Sequence, residues 1–374
     1  MLFFNDVFNH KNPDGVLMNI AFVNATHIWS GVKSWCLDNA EQLAKRGHTI
    51  ALYGRAGAFI DKARARGLEA FPCTFGLEFN PLAISFFYRE FKRKKAELCV
   101  CNISKDVHSA GIAAFLLGIP IVQHLGAVGD MRRSRRKFMS VRLLKPFFIT
   151  PSEFVKCGLL EKFPALADYE IKAIHPGCKV APEYRTTVNV PRVITTTSRM
   201  APRKGHYELL YACEKLKNDG YNFICRIVGS GELEAELRSV CTQKHLDDIV
   251  TFTGFVTDIP EQLASSDIYV FPAENEGLGI ALEEAIASGL PCIAKAGSGP
   301  DEIWPQSRPS MLIPEHDNGT ELYFQLKRLL DMDDESLLNE GREFLNHAKE
   351  HCNWEKQAII LEQWFEEILA QSRR

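Results

Sequence analysis

Residues 192–205 read Arg-Val-Ile-Thr-Thr-Thr-Ser-Arg-Met-Ala-Pro-Arg-Lys-Gly, a β-branched run that ends in a loop carrying Arg199 and Lys204. The composition of the first six residues favours a strand, and the stretch after Gly205 has a helical pattern. Strand, loop and helix then recur downstream, with strands expected at 223–228, 249–253, 268–271 and 291–294. Upstream, a strand at 18–24 is followed by the loop 25–31, a helix over 32–46 closed by Gly47, and a strand at 48–53. Further strands are expected at 98–102, 120–124 and 146–150, with a helix over 107–117. Two successive series of this kind predict an α/β protein with two doubly wound parallel sheets. We place an N-terminal Rossmann-like domain at 18–185, a C-terminal one at 186–350 and a terminal helix at 351–374, with a return onto the N-terminal domain as one option. The proline- and charge-bearing stretch 180–191 reads as the linker, and residues 1–17 as a flexible extension or an overlong gene start.

A chain of 374 residues with 46% hydrophobic and 24% charged residues suits two soluble domains. No apolar run approaches the roughly 18 to 20 residues of a membrane span, and the start lacks a signal-peptide pattern, so a cytoplasmic protein is expected. The 11 cysteines are scattered without metal-ligand spacing and read as reduced, buried small residues. Charge is divided unevenly. Residues 1–185 hold 26 Lys and Arg against 16 Asp and Glu, and residues 186–374 hold 18 against 31. A basic half favours phosphate-bearing partners.

In a doubly wound sheet, ligands sit beyond the carboxyl ends of the strands, where Arg199 and Lys204 fall. Two fixed cations there suit a diphosphate and its departure; a solvated loop with ordinary surface charges is the bland alternative. After the strand 268–271 come Glu274, Asn275, Glu276, Gly277, Leu278 and Gly279, then a helix through Glu284 closed by Gly289. Glycines entering a helix let backbone N–H groups approach a diphosphate, and the two carboxylates suit sugar hydroxyls. Read without a ligand, Glu276 is a helix cap and Glu284 a solvated helix residue.

The chain resembles the retaining GT-B glycosyltransferases of group 1, or family 4. The resemblance rests on Ser-Arg-Met-Ala-Pro-Arg-Lys-Gly at 198–205, Val-Gly-Ser-Gly-Glu-Leu at 228–233, Phe-Thr-Gly-Phe-Val at 252–256 and Glu-Gly-Leu-Gly-Ile-Ala-Leu-Glu-Glu-Ala at 276–285. Ser-Gly-Leu-Pro at 288–291, Gly-Ser-Gly-Pro-Asp-Glu at 297–302 and Asn-Trp-Glu at 353–355 complete the series. It implies a GT-B fold, two Rossmann-like domains facing a central cleft. It also implies that Arg199 and Lys204 hold the donor diphosphate and that Glu276 meets the transferred sugar. Gly277, Leu278, Gly279 and Ile280 would present backbone donors, with Gly229 nearby, and Glu284 would bind the ribose, with Glu283 as the alternative. The base would lie near Gly254, Phe255 and Val256.

The N-terminal half matches less closely. Its counterpart of a glycine-rich loop is Trp29-Ser30-Gly31-Val32, with Gly31 as a backbone contact. His124 ends the strand 120–124 like the family histidine that faces the donor sugar, or is a structural histidine; His108 is a poorer candidate. Arg132, Arg133, Arg135, Arg136 and Lys137, and a second run at 92–95 beside Phe86, Phe87, Tyr88 and Phe91, suit an anionic membrane surface or are solvated helix faces. The resemblance thus implies transfer of a hexose, UDP-linked by preference, to a glycan or lipid-linked acceptor in lipopolysaccharide core or other envelope polysaccharide synthesis. It implies no cofactor and no metal; Asp331-Met332-Asp333 reads as surface, and nucleic acid is not an expected partner. The protein would work on the inner face of the cytoplasmic membrane. The rivals are a nicotinamide-dependent Rossmann enzyme, disfavoured because Glu234 occupies the third glycine position, a nucleotide-sugar epimerase, and a non-catalytic binder of anionic lipid.

Overall fold

The computed structural model of the chain describes residues 16–27, 29, 31–131, 135–256 and 258–373, without the side chains of 135–137. Most of the expected extension at 1–17 therefore lies outside the described residues. The chain divides into two compact units, Met1–Pro176 with Trp354–Arg374, and Gly177–Asn353.

The first unit is built on β1 (Asn19–Asn24), β2 (Thr49–Gly54), β3 (Glu69–Pro72), β4 (Leu98–Cys101), β5 (Ile121–His124), β6 (Phe147–Thr150) and β7 (Ile171–Ala173), all parallel, in the order β3-β2-β1-β4-β5-β6-β7. The second is built on β8 (Arg192–Thr197), β9 (Phe223–Val228), β10 (Val250–Gly254), β11 (Ile268–Phe271), β12 (Cys292–Lys295) and β13 (Leu312–Ile313), also parallel, in the order β10-β9-β8-β11-β12-β13. Inner strands such as β4 and β11 are buried along their whole length, because helices cover both faces of a parallel sheet, and they read in sequence as apolar runs. Strand order reverses between β1 and β4 and between β8 and β11. Crevices for ligands open at the carboxyl ends of such pairs.

The stretch 180–191 is not a free linker. Ala181 N–H donates to Ala287 O at 2.8 Å, and buried Asp267 accepts from the N–H groups of Asn189 and Val193 at 3.0 and 2.7 Å and pairs with Arg185. These bonds strap the segment to the second unit, whose boundary falls at Gly177, before the expected 186. Proline and charge mark irregular backbone, and irregular backbone is also found bound flat against a domain.

The terminal helix Trp354–Ser372 belongs to the first unit. Its Leu361, Trp364, Phe365 and Ile368 share a core with Trp35, Leu37 and Leu43 of the helix Gly31–Lys45. Glu362 of the same helix is buried and accepts from Arg46 Nε at 2.7 Å. Met18 N–H donates to His48 Nδ1, so the His48 proton sits on Nε2 and points to Glu362 at 2.7 Å. Breaking a buried ionic cluster of this type by removing one member costs about 3–5 kcal/mol, because a desolvated charge is left behind.

Candidate functional site

The loop after β8 is laced to the loop after β9. Ser198 N–H donates to Val228 O at 3.0 Å, Met200 N–H to Ser230 O at 3.2 Å, and Leu233 N–H to Met200 O at 3.0 Å. Arg199 leaves this backbone frame and pairs with Glu232 at 2.5 Å, yet 65% of its side chain stays exposed. An exposed pair of this kind is weak and open to a competing anion. On the other side, the loop after β8 meets the loop after β11. Glu274 N–H donates to Arg203 O at 2.9 Å, and Gly205 packs directly on the carbonyl of Pro272. This contact brings together two residues chosen separately in the sequence, as Lys204 Nζ forms an ion pair with Glu276 Oε1. About a quarter of each side chain remains accessible, 25% and 22%.

Glu276 stands in the loop and caps no helix. The helix Ile280–Ala287 begins at Gly279, which has φ +91° and offers no side-chain cap, so no side chain of the N-cap residue satisfies the first N–H groups of the helix. Gly299 N–H donates to Glu276 O at 3.0 Å, and Gly299 lies so close to Gly277 that a side chain would collide with its carbonyl. Thus 297–302 holds the backbone of 276–278 from behind.

The two neighbouring glutamates are separated by the helix itself. Glu284 is half-buried, whereas Glu283 is fully enclosed, and neither of its oxygens has a hydrogen-bond partner. Burial, and secondarily the Glu284 charge, push the Glu283 carboxyl up to about 8. Glu283 is thus sealed from solvent, and Glu284 is the more accessible member of the pair. The sign of the pH effect follows from the raised value. Between the ordinary 4.5 and about 8 the unfolded chain has lost this proton and the native chain keeps it, so stability falls with pH by up to about 1.4 kcal/mol per unit and then levels off. Glu283→Gln should remove that slope, its advantage over the wild type growing from pH 5.5 to 8. Parallel urea-denaturation profiles across that range would contradict it.

Near the expected base position, Gly229 N–H donates to Gly254 O at 2.9 Å, which ties the ends of β9 and β10 together. Phe255 is 63% exposed and Val256 half-buried at that edge. Two buried polar side chains beside these loops carry no assignment from the sequence. His206, at the start of the helix His206–Asn218, is buried, and its Nε2 lies 3.1 Å from Ser198 Oγ; burial and then the Lys204 charge hold it neutral, down to about 4. Lys295 is enclosed at the end of β12, between Glu274 at 2.8 Å and Glu208 at 3.3 Å. A lysine closing the buried run Cys-Ile-Ala-Lys was the available signal.

In the first unit, Gly31 is the first residue of the helix Gly31–Lys45 and sits in the loop region after β1. His124 ends β5, buried, stacked on Trp35 with ring centroids 4.1 Å apart and neither nitrogen hydrogen-bonded. Burial lowers it to about 3, so it is a neutral imidazole. His108 is buried against Phe79, centroids 4.2 Å apart. Arg132 and Arg133 lie outside the described residues; Arg135, Arg136 and Lys137 open the helix Arg135–Leu144, with side chains outside the description. The run at 92–95 is less free than its sequence suggests. Arg93 pairs with Glu90 and Lys94 with Glu69, and both cations lie over the Phe71 ring. Asp333 caps the helix Asp334–His351 through Ser336 N–H, and Asp331 accepts from Tyr221, so this Asp-Met-Asp triplet serves helix ends. Among the described residues, no group of three or more His, Cys, Asp or Glu is placed to hold a metal ion.

Residues 185–349 match the family model described as glycosyl transferases group 1. The chain as a whole has the GT-B fold. The group 1 domain contains every one of the loops described in the second unit. The amylovoran biosynthesis glycosyltransferase AmsK of Erwinia amylovora is 33% identical over 36% of this chain and 35% of its own. A UDP-Gal:alpha-D-GlcNAc-diphosphoundecaprenol alpha-1,3-galactosyltransferase of Escherichia coli is 25% identical over 75% of this chain and 80% of its own. Among solved structures, Anabaena HepE in complex with UDP and glucose superposes with a TM-score of 0.75 at 20% identity, over 95% of this chain and 100% of its own. The leading curated matches span about a third of those relatives' length.

Proposed function

We propose that the chain is a glycosyltransferase that moves a hexose, with retention and without a metal, from a nucleoside-diphosphate sugar to a glycan or lipid-linked acceptor in envelope polysaccharide synthesis. The observation that carries this reading is the Lys204–Glu276 pair at the β8/β11 switch point, beside the exposed Arg199 and the uncapped helix at Gly279. Diphosphate oxygens compete with Glu276 for Lys204, and the released carboxylate accepts hydrogen bonds from the hexose hydroxyls. Arg199 exchanges Glu232 for the same diphosphate. Two cations and the backbone donors at 277–280 stabilise the charge that grows on the leaving group, and a phosphate oxygen takes the acceptor proton, so neither a side-chain base nor a metal is needed. Glu284 receives the ribose. UDP is the favoured nucleoside diphosphate of the donor, in keeping with the donor named for the galactosyltransferase and the ligand named for HepE.

A thermal-shift screen of UDP-, GDP- and ADP-sugars tests the reading. One class, UDP-hexoses first, is expected to raise Tm, with about 2.7 kcal/mol of stabilisation at a hundredfold excess over Kd. No shift with any of them sinks the proposal. Transfer with the donor so found should persist in excess EDTA, and a loss restored by Mn²⁺ would refute the metal-free mechanism.

The acceptor is proposed to be met at an anionic membrane surface by the first unit. No helix among the described residues is long and apolar enough to cross a membrane. In support of surface binding, Met139 and Leu143, one turn apart on the helix Arg135–Leu144, are 72% and 63% exposed, and the chain just before them is rich in arginine. Binding to vesicles containing an anionic lipid should weaken with salt and with the double change Met139→Ser and Leu143→Ser. Equal binding by wild type and variant would remove this helix from the interface.

A further inference from the structure

Lys295 is the charged side chain that the functional reading leaves without a task. It closes β12 with 1% of its side chain exposed, and an ammonium group there is tolerable only with good partners. Those partners come from two different parts of the site. Glu274, at 2.8 Å, stands two residues before Glu276 in the loop after β11. Glu208, at 3.3 Å, lies in the first turn of the helix that follows Lys204 and Gly205. Glu274 is also held by its backbone, whose N–H donates to Arg203 O at 2.9 Å. One buried cation therefore ties the loop bearing Glu276 to the helix that continues the loop bearing Lys204.

The backbone between Glu274 and Glu276 turns sharply beside this tie. Asn275 has φ +54°, in the left-handed region, which asparagine enters more readily than other side-chain-bearing residues. Arg203, which accepts from Glu274, has φ +67° on the facing loop. Glu274, next in the chain to Asn275, is thus held twice, by its backbone N–H on Arg203 O and by its carboxylate on the buried lysine, and these two bonds set the loop in one position.

We propose that Lys295 is a positioning residue which, through Glu274, fixes the loop after β11 so that the Glu276 carboxylate stands beside Lys204 and meets the donor's sugar. The proposal rests on the donor-site reading above. It separates two parts of donor recognition: the diphosphate is held by Arg199, Lys204 and backbone, and the sugar by a carboxylate whose place depends on Lys295.

Binding of UDP, GDP or ADP, and of the matching nucleotide sugar, is measured by calorimetry for the wild type, Lys295→Met, Glu274→Gln and the double variant. The nucleoside diphosphate is expected to bind every variant within about threefold of wild type, while the nucleotide sugar loses roughly tenfold or more and the rate of transfer falls with it. The double variant should resemble either single one, because both break the same link. Glu274→Gln keeps Lys295 paired with Glu208, and reports on the link even where Lys295→Met does not fold. Additive losses would mean that Glu274 touches the sugar itself, and unchanged nucleotide-sugar affinity would mean that the loop holds its position unaided; either result overturns the proposal. A wild type that binds no nucleotide overturns the donor-site reading and this inference with it, whereas nucleotide binding with unaffected variants overturns the inference alone.

Discussion

Lys204→Ala is expected to lower transfer by about two to three orders of magnitude while the second unit stays folded. The magnitude is that of losing one preorganised donor from charge developing in a water-poor site. Lys204 pairs with Glu276 across the two switch-point loops, and its removal takes away the diphosphate contact proposed for it. Its pair with Glu276 is partly solvated, so stability should change by no more than about 1 kcal/mol. Lys204→Arg should recover only part of the rate, because a planar guanidinium does not reproduce a compact ammonium at the same distance. Steady-state kinetics with a thermal unfolding curve for each variant decides the matter, and unchanged turnover removes Lys204 from the mechanism.

Gly205→Ala should have the second large effect, this time on structure and activity together. Gly205 has φ +71°, and a Cβ built on it falls 2.1 Å from the Pro272 carbonyl oxygen, a backbone atom that cannot swing aside. The loops after β8 and β11 must part to admit the methyl group, and the Lys204–Glu276 pair parts with them. Gly220 provides the control, with φ +84° and open space where its Cβ would go. Gly220→Ala should cost about 1 kcal/mol from backbone conformation alone, and Gly205→Ala several times as much. Urea denaturation of the two variants measures the difference, and equal losses would show that the loops are not in forced contact.

Much of the fold is legible in the order of the residues. The strands expected at 192–197, 223–228 and 268–271 coincide with β8, β9 and β11; β8 and β11, buried almost throughout, leave β-branched or apolar runs, and β9 keeps its apolar run apart from Arg226 on its half-buried face. The edge strands β3, β7 and β13 were missed. They are short, and residues such as Glu69 and Lys172 face solvent, so no hydrophobic pattern marks them. The stretch 180–191 shows a different limit. Its prolines and charges announced irregular backbone, but the hydrogen bonds of Asp267 that bind it to the second unit come from a residue some eighty positions away.

The stretch from Arg192 to Gly205 determined by itself that a strand delivers two cations to the carboxyl edge of a parallel sheet, because strand propensity and a loop's charge are local properties. Order and spacing of the later motifs determined the group 1 relationship in the same way. Tertiary structure alone decided the rest. It paired Lys204 with Glu276 and Arg199 with Glu232, enclosed Glu283 while leaving Glu284 accessible, stacked His124 on Trp35, and set Lys295 between Glu274 and Glu208. Each of these depends on which strands lie side by side and which face of a helix turns inward. Contacts between residues far apart in the chain exist only once the sheet order is in place.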